Sequence, residues 1–323
     1  MRISVVIPAY NAARFLSDTL ASVRAQTLDV HEIVVVDDGS ADDTAQVAAT
    51  FGCRVIRQAN GGVCAARNTG ILAATGDWIA LLDHDDVWLP HKLERQKLAA
   101  ELCPDVGSVA TDFLRARADG SESSCLDDPR YSFDAITSEV VVGSIVRLPR
   151  FEEQVLDTGW FLFPSSMLIR RDVLIRAGMF RTEQRLCEDV DCFLRVLALA
   201  PLAMVRESLW RWREHAGNTS RDFTGIAEGW LRLGAYVRDE PSAYPPGTGA
   251  RLQPILHAMR RDLVAEYTSR GDFANARRVS RTTVGGRRTP SDTALAVVVE
   301  FPPQLWAMLR RARSVFRALS LSS

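Results

Sequence analysis

Between Ile3 and Asp83 the chain repeats one pattern, in which a short run of strand character breaks off in polar residues and a helical period follows. Ile3 to Ile7 is β-branched apart from Ser4 and ends at Pro8, with Pro8-Ala9-Tyr10-Asn11 as a turn. Ala12 to Gln26 then carries Phe15, Leu16, Leu20 and Val23 at helical spacing. Ile33 to Val36 ends in Asp37-Asp38-Gly39-Ser40 before a helix over Asp42 to Thr50. Arg54 to Arg57 is followed by Asn60-Gly61-Gly62 and a helix from Val63 to Ala74 that carries Arg67 and Asn68. Trp78 to Leu82 is a fourth strand, stopped by Asp83-His84-Asp85-Asp86. Successive βα units of this kind predict an α/β fold with a doubly wound, mostly parallel sheet. Its polar residues stand at the carboxyl ends of the strands, where such sheets bind ligands. The first βα turn contains no glycine, which disfavours a nicotinamide or flavin enzyme.

Carboxylates gathered at the end of a buried strand need a counter-charge. Asp83, Asp85 and Asp86 suit a hard divalent cation, Mn²⁺ or Mg²⁺, that also takes oxygens from a diphosphate. The competing reading is local: Asp85 or Asp86 would cap a helix starting near Pro90, since Asp is a preferred N-cap and Pro suits a first turn. A second acid cluster, Cys187-Glu188-Asp189-Val190-Asp191, opens a helix running to about Leu199, where acids ordinarily complement the helix dipole. The chain has 39 basic and 40 acidic residues, so nothing in its charge recommends nucleic acid as a partner. Six cysteines without a Cys-x-x-Cys pair indicate neither a zinc site nor a disulfide framework, and a reduced cytoplasmic setting is expected. No apolar run reaches the length of a membrane span.

Further along, a helix is expected beyond Pro90 to about Leu102 and a short strand over Val106 to Ala110. Asp112 to Arg150 reads as loops and short strands over the cleft, with a hairpin turn at Ala118-Asp119-Gly120-Ser121. Phe161 to Ile169 is strand-like, and a helix over Arg171 to Ala177 is stopped by Gly178. Val205 to Trp212 is a strand leading to a loop that contains His215. After Ser220 the composition changes, which divides the chain into a unit over 1–220 and a helical extension over 221–323. The extension should hold helices over Ile226 to Arg238 and Leu252 to Tyr267, a hairpin at Gly271-Asp272-Phe273, and a mobile stretch from Gly285 to Ser291. From Gln304 to Leu319 an apolar face of Leu305, Met308, Leu309, Ala312, Phe316 and Leu319 is flanked by Arg310, Arg311, Arg313 and Arg317. That basic amphipathic helix either packs on the rest of the protein or lies on an anionic membrane surface.

Taken together, Val5-Val6-Ile7-Pro8-Ala9-Tyr10-Asn11, Val34-Val35-Val36-Asp37-Asp38-Gly39-Ser40, Asn60-Gly61-Gly62 with Ala66-Arg67-Asn68, Leu82-Asp83-His84-Asp85-Asp86 and Cys187-Glu188-Asp189-Val190-Asp191 stand in a characteristic order. Over about Ile3 to Ser220 the chain resembles the family 2 inverting glycosyltransferases of the GT-A fold. The resemblance implies transfer of a sugar from a nucleotide-sugar donor, with UDP the expected nucleotide, to a glycan or lipid-linked acceptor. It implies that Pro8, Tyr10 and Asp38 hold the nucleobase and ribose, and that Arg67 faces the nucleotide's anionic side. Asp83 and Asp85 would bind ribose and metal, with Asp86 as an alternative ligand, and His215 would approach the metal or diphosphate. Asp189 would be the general base. A nucleotidyltransferase would share the α/β domain and the metal, and a non-enzymatic nucleotide-sugar sensor would keep Asp38 and Asp83. The second acid cluster separates both from a sugar transferase, which needs it as base.

Overall fold

The computed structural model describes residues 1–117, 119–128, 133–149, 151–157 and 159–282. The expected βα frame opens it: β1 (Ile3–Ala9), α1 (Ala13–Arg24), β2 (Glu32–Asp37), α2 (Thr44–Thr50), β3 (Arg54–Arg57), α3 (Val63–Ala73) and β4 (Trp78–Leu81). Next come β5 (Val87–Trp88), α4 (Lys92–Leu102), β6 (Ser108–Ala116), β7 (Glu122–Ser124), β8 (Glu139–Val142) and β9 (Ile145–Leu148). Then follow α5 (Phe151–Gln154), β10 (Leu168–Arg170), α6 (Arg171–Arg176), α7 (Glu188–Leu197) and β11 (Leu202–Arg213). Three further helices are α8 (Phe223–Asp239), α9 (Thr248–Ser269) and α10 (Phe273–Arg281).

The sheet runs β3-β2-β1-β4-β10-β6-β11-β9-β8, with β5 paired to β11 and β7 to β6. Its first four strands are parallel, as the βα units require. Beyond them the sheet is mixed. β10 lies antiparallel to β4 on one side and to β6 on the other, and β11 is parallel to β6. Two reversals cancel, so β6 and β11 point the same way as β4. The carboxyl end of β11 therefore reaches the same edge of the sheet as the acids after β4.

Several local expectations need correction. Pro8 is not a turn residue but lies buried within β1, opposite Val36. Pairing with β4 ends at Val6 and Leu81, and Val6 accepts from the Leu82 N–H, so by strand alternation the missing N–H of Pro8 faces β4 where that ladder has stopped. The helix expected beyond Pro90 is α4, but β5 precedes it and it begins at Lys92 without a side-chain cap, which removes the capping role for Asp85 and Asp86. The strand expected over Phe161 to Ile169 is broken by a 3₁₀ turn at Pro164–Ser166, where the Ser166 hydroxyl bonds back to the Phe163 carbonyl at 2.7 Å. The hairpin near Gly120 is present, with Gly120 at φ 83° between the antiparallel β6 and β7.

The apolar core holds β1, β4 and β10 together with α1, α3 and α7, and it takes in Leu233, Val237, Tyr244, Leu252 and Leu256 from the region of α8 and α9. Among the described residues no helix is long and apolar enough to cross a membrane. The segments 285–291 and 304–319, expected as a mobile stretch and an amphipathic helix, lie outside the described residues.

Candidate active site

At the end of β4 the turn Asp83-His84-Asp85-Asp86 is fixed through its backbone. The Thr19 hydroxyl on α1 lies 2.7 Å from the carbonyl of His84 and 2.8 Å from that of Asp86, and Arg213 at the end of β11 donates to the carbonyl of Asp85. The three carboxyl groups then go separate ways. Asp83 accepts from Arg67 Nη2 at 2.7 Å. Asp85 Oδ2 lies 2.9 Å from His215 Nε2. Asp86 turns inward, 3% exposed, and takes the Ser165 hydroxyl proton at 2.5 Å. Burial, then the charges of Asp85 and Asp83, push the Asp86 carboxyl well above its ordinary range. The Ser165 hydroxyl also accepts from the Asp83 N–H at 3.0 Å, so the broken strand at Pro164–Ser166 supplies a polar support under the acid turn. Trp88 and Gln96 hold that support from below by donating to the carbonyls of Ser165 and Ser166. Ser165, Thr19 and Arg213 carried no signal in the sequence beyond their polarity.

Across the cleft, α7 presents Glu188, Asp189 and Asp191 in its first turn. These three also have different partners. Glu188 accepts from Arg67 Nη1 at 2.7 Å, and the buried Asp191 is held by Arg195 and by the Tyr244 hydroxyl, each at 2.5 Å. Asp189 is half-buried and takes only the N–H of Val190, at 2.8 Å, with no salt bridge among the described residues. Burial, then the charge of Glu188, pushes its carboxyl up to about 7, against the opposing influence of the Val190 N–H and Arg67. A carboxyl titrating there is suited to taking a proton at neutral pH.

Arg67 joins the two clusters. Its guanidinium is 4% exposed, forks between Asp83 and Glu188, and stacks 5.1 Å from the Phe180 ring. Burial opposes its charge, but Asp83 and then Glu188 outweigh that and hold it protonated. Both terminal nitrogens are thus committed to carboxylates, the geometry of a bridge rather than of a free anion-binding group.

On the β1–β2 side, Tyr10 is 49% exposed immediately beyond β1, an open aromatic face at the strand end. Pro8 lies two residues earlier, within β1. Asp38 is buried and accepts from Gln58 Nε2 at 2.7 Å, from the Gly61 N–H at 2.9 Å and from the Gly62 N–H at 2.8 Å. It thereby orders the glycine loop ahead of α3. Beyond the acid turn on the other side lies a cavity of about 250 Å³ whose lining includes Phe113, Arg115, Phe163, Trp212, Glu214 and Arg221.

Asp85 and His215, far apart in sequence, form the pair best placed for a cation. Among the described residues no group of three or more His, Cys, Asp and Glu gathers as a complete ligand set. Two protein donors fit a cation whose remaining ligands are substrate phosphate oxygens and water. His215 Nδ1 accepts from the Gly217 N–H at 3.1 Å, so the neutral ring as arranged carries its proton on Nε2 toward Asp85. Ligation through Nε2 requires the Nδ1–H tautomer, which releases the Gly217 N–H.

Residues 4–175 match the sequence family Glycosyl transferase family 2. An uncharacterized glycosyltransferase of Nostoc sp. is 50% identical over 101 residues, 29% of this chain and 31% of that protein. The uncharacterized glycosyltransferase EpsJ of Bacillus subtilis is 29% identical over 223 residues, 66% of this chain and 61% of its own length. The matches thus span less than two thirds of either relative. Among solved structures, S. aureus TarS in complex with UDP-GlcNAc superposes with a TM-score of 0.61 at 16% identity, covering 87% of this chain and 83% of that one.

The Arg67 bridge yields a stability prediction. Arg67→Met leaves Asp83 and Glu188 facing each other without a cation, and removing one partner of a buried ionic group costs about 3–5 kcal/mol. Urea unfolding should show a loss at the low end of that range, because Asp83 is 28% exposed. An unchanged unfolding midpoint would show that the two carboxylates do not depend on Arg67.

Proposed function

The chain belongs to glycosyl transferase family 2 and is therefore an enzyme that transfers sugars, and from that premise we propose that it is an inverting, metal-assisted transferase using a UDP-sugar donor and a hydroxyl of a glycan or lipid-linked acceptor. The observation that carries this reading is the state of Asp189, a carboxylate with no salt bridge among the described residues whose affinity for a proton is raised to about 7, set across the Arg67 bridge from Asp83 and Asp85. The fold shared with a TarS structure that holds UDP-GlcNAc supports the choice of donor class.

In this proposal Tyr10 stacks on the base, Asp38 accepts hydrogen bonds from it with Pro8 beneath, and Asp83 holds the ribose. Arg67 keeps Asp83 oriented through its fork, acting on the donor by way of that carboxylate. Asp85 and His215 would hold Mn²⁺ or Mg²⁺, with Asp83 beside them, and a bound cation would supply positive charge to the departing diphosphate. The acceptor enters from the cavity beside Phe163 and Trp212, where aromatic faces and polar groups suit a sugar ring. Its hydroxyl proton passes to Asp189 Oδ as the oxygen attacks the anomeric carbon. The new C–O bond forms as the bond to the diphosphate breaks, its electron pair leaving with the phosphate oxygen. One displacement inverts the anomeric centre.

Residues 1–220 form the catalytic unit of this reading and 221–323 its helical extension. The near-balanced charge of 39 basic and 40 acidic residues gives no basis for a nucleic-acid partner. The setting is cytoplasmic, with the segment 304–319 in contact with the inner membrane face.

Asp189→Asn preserves shape and removes the base, and should lower kcat by about 10²–10⁴-fold while nucleotide affinity changes only a few-fold. Because the base works deprotonated, wild-type kcat should rise with pH through about 7 and level off above it. A flat profile between pH 5 and 9 would count against Asp189. Asp85→Asn should lose donor binding together with turnover, measured by titrating UDP in the presence of Mn²⁺; full activity in excess chelator would remove the metal from the reading. Co-sedimentation with anionic vesicles should be lost when the chain is truncated after Glu300, whereas equal binding by both forms, or none, excludes membrane contact through 304–319.

A further inference from the structure

The turn that carries Asp189 into α7 is held in an unfavourable backbone conformation. Cys187, the residue before the helix, has φ 59° and ψ 24°, left-handed values that a side chain other than glycine adopts rarely and only when its surroundings impose them. Those surroundings come largely from α8. The fully buried Gln184 donates from Nε2 to the carbonyl of Leu186 at 2.8 Å and to that of Gly229 on α8 at 2.9 Å. Cys187 Sγ lies 3.5 Å from the carbonyl of Ile226, also on α8.

The helix can approach this closely because it lacks side chains where it touches the turn. A Cβ at Gly229 would stand 2.4 Å from the Leu186 carbonyl oxygen, and one at Gly225 would stand 2.6 Å from Leu186 Cδ1. The two glycines are four residues apart and share a helix face, while the N–H of Gly225 is itself tied to the Asp222 cap at 2.9 Å. Glycine weakens a helix interior, so its placement on the contacting face is explained by the backbone approach.

We propose that α8 sets the position of Asp189, with Gly229 and Gln184 as positioning residues for proton abstraction. The inference rests on Asp189 being the base. It assigns the start of the helical extension a part in the chemistry, because the peptide clamped by α8 lies only two residues before Asp189. A base displaced by about 1 Å loses on the order of 10²-fold in rate.

The test uses the full-length chain with Gly229→Ala, Gln184→Ala and a control, Gly234→Ala, whose added Cβ would meet Leu256 Cδ1 at 2.4 Å, on the same helix but against α9. Turnover is measured at saturating UDP-sugar and acceptor, donor-site integrity by binding of UDP with Mn²⁺, and folding by thermal unfolding. Gly229→Ala and Gln184→Ala should lower kcat by about 10–100-fold with UDP affinity held within a factor of about two. Gly234→Ala should lose thermal stability and keep its kcat. Gln184→Ala adds no bulk, so it decides the matter if Gly229→Ala does not fold. Unchanged kcat in Gln184→Ala, or parallel losses of kcat and UDP affinity, would overturn the clamp. Asp189→Asn measured alongside separates the two ideas: if it abolishes turnover while Gln184→Ala does not, the base stands and the clamp falls, and if it retains turnover the base reading itself has failed.

Discussion

The site depends on one buried cation. Arg67 projects from α3 between the end of β4 and the start of α7, and its planar fork meets one carboxylate from each. In surroundings that exclude most water, two such carboxylates would repel each other strongly, and only a permanently charged, bidentate group can hold both at 2.7 Å. The balance remains negative, with two acids on one guanidinium. Burial, and then the charge of Glu188, raises the proton affinity of the neighbouring Asp189, while Arg67 itself works against that rise. The same interaction thus ties the two acid clusters together beside Asp189.

A second constraint is directional. Strands that bring catalytic groups to one edge of a sheet must point the same way, yet β10 runs against its neighbours. Since it does so on both sides, β6 and β11 recover the direction of β4, and the long β11 delivers Arg213 and His215 beside Asp85. The two register shifts of β11 against β6 allow it to bend as it reaches that edge.

Each acid cluster divides its labour by depth. In the first, Asp86 is sunk against Ser165 and Asp83 and Asp85 stay in the cleft; in the second, Asp191 is sunk against Arg195 and Tyr244 and Asp189 stays in the cleft. Tyr244 comes from the connection between α8 and α9, so the later helices reach the same helix that carries Asp189. A buried acid in each cluster helps fix the backbone that presents the half-buried ones.

Much of the frame was legible in the sequence because it is local. Apolar runs of strand length, helical spacing in Phe15, Leu16, Leu20 and Val23, and acids at strand ends are properties of neighbouring residues, and they sufficed for the βα order, the parallel first half of the sheet and the two acid clusters. What tertiary structure decided was which of these groups meet. Nothing near Arg67 indicates that it will bridge Asp83 and Glu188, and the apolar letters around Pro164 hide a turn that exists because Ser165 has an acid to support. Pro8 reads as a strand end from its own chemistry, but it continues the strand because its neighbour on one side has already turned away. Periodicity reports the face a residue presents to its own element; the partner it finds there depends on packing between segments distant in the chain, which no local pattern encodes.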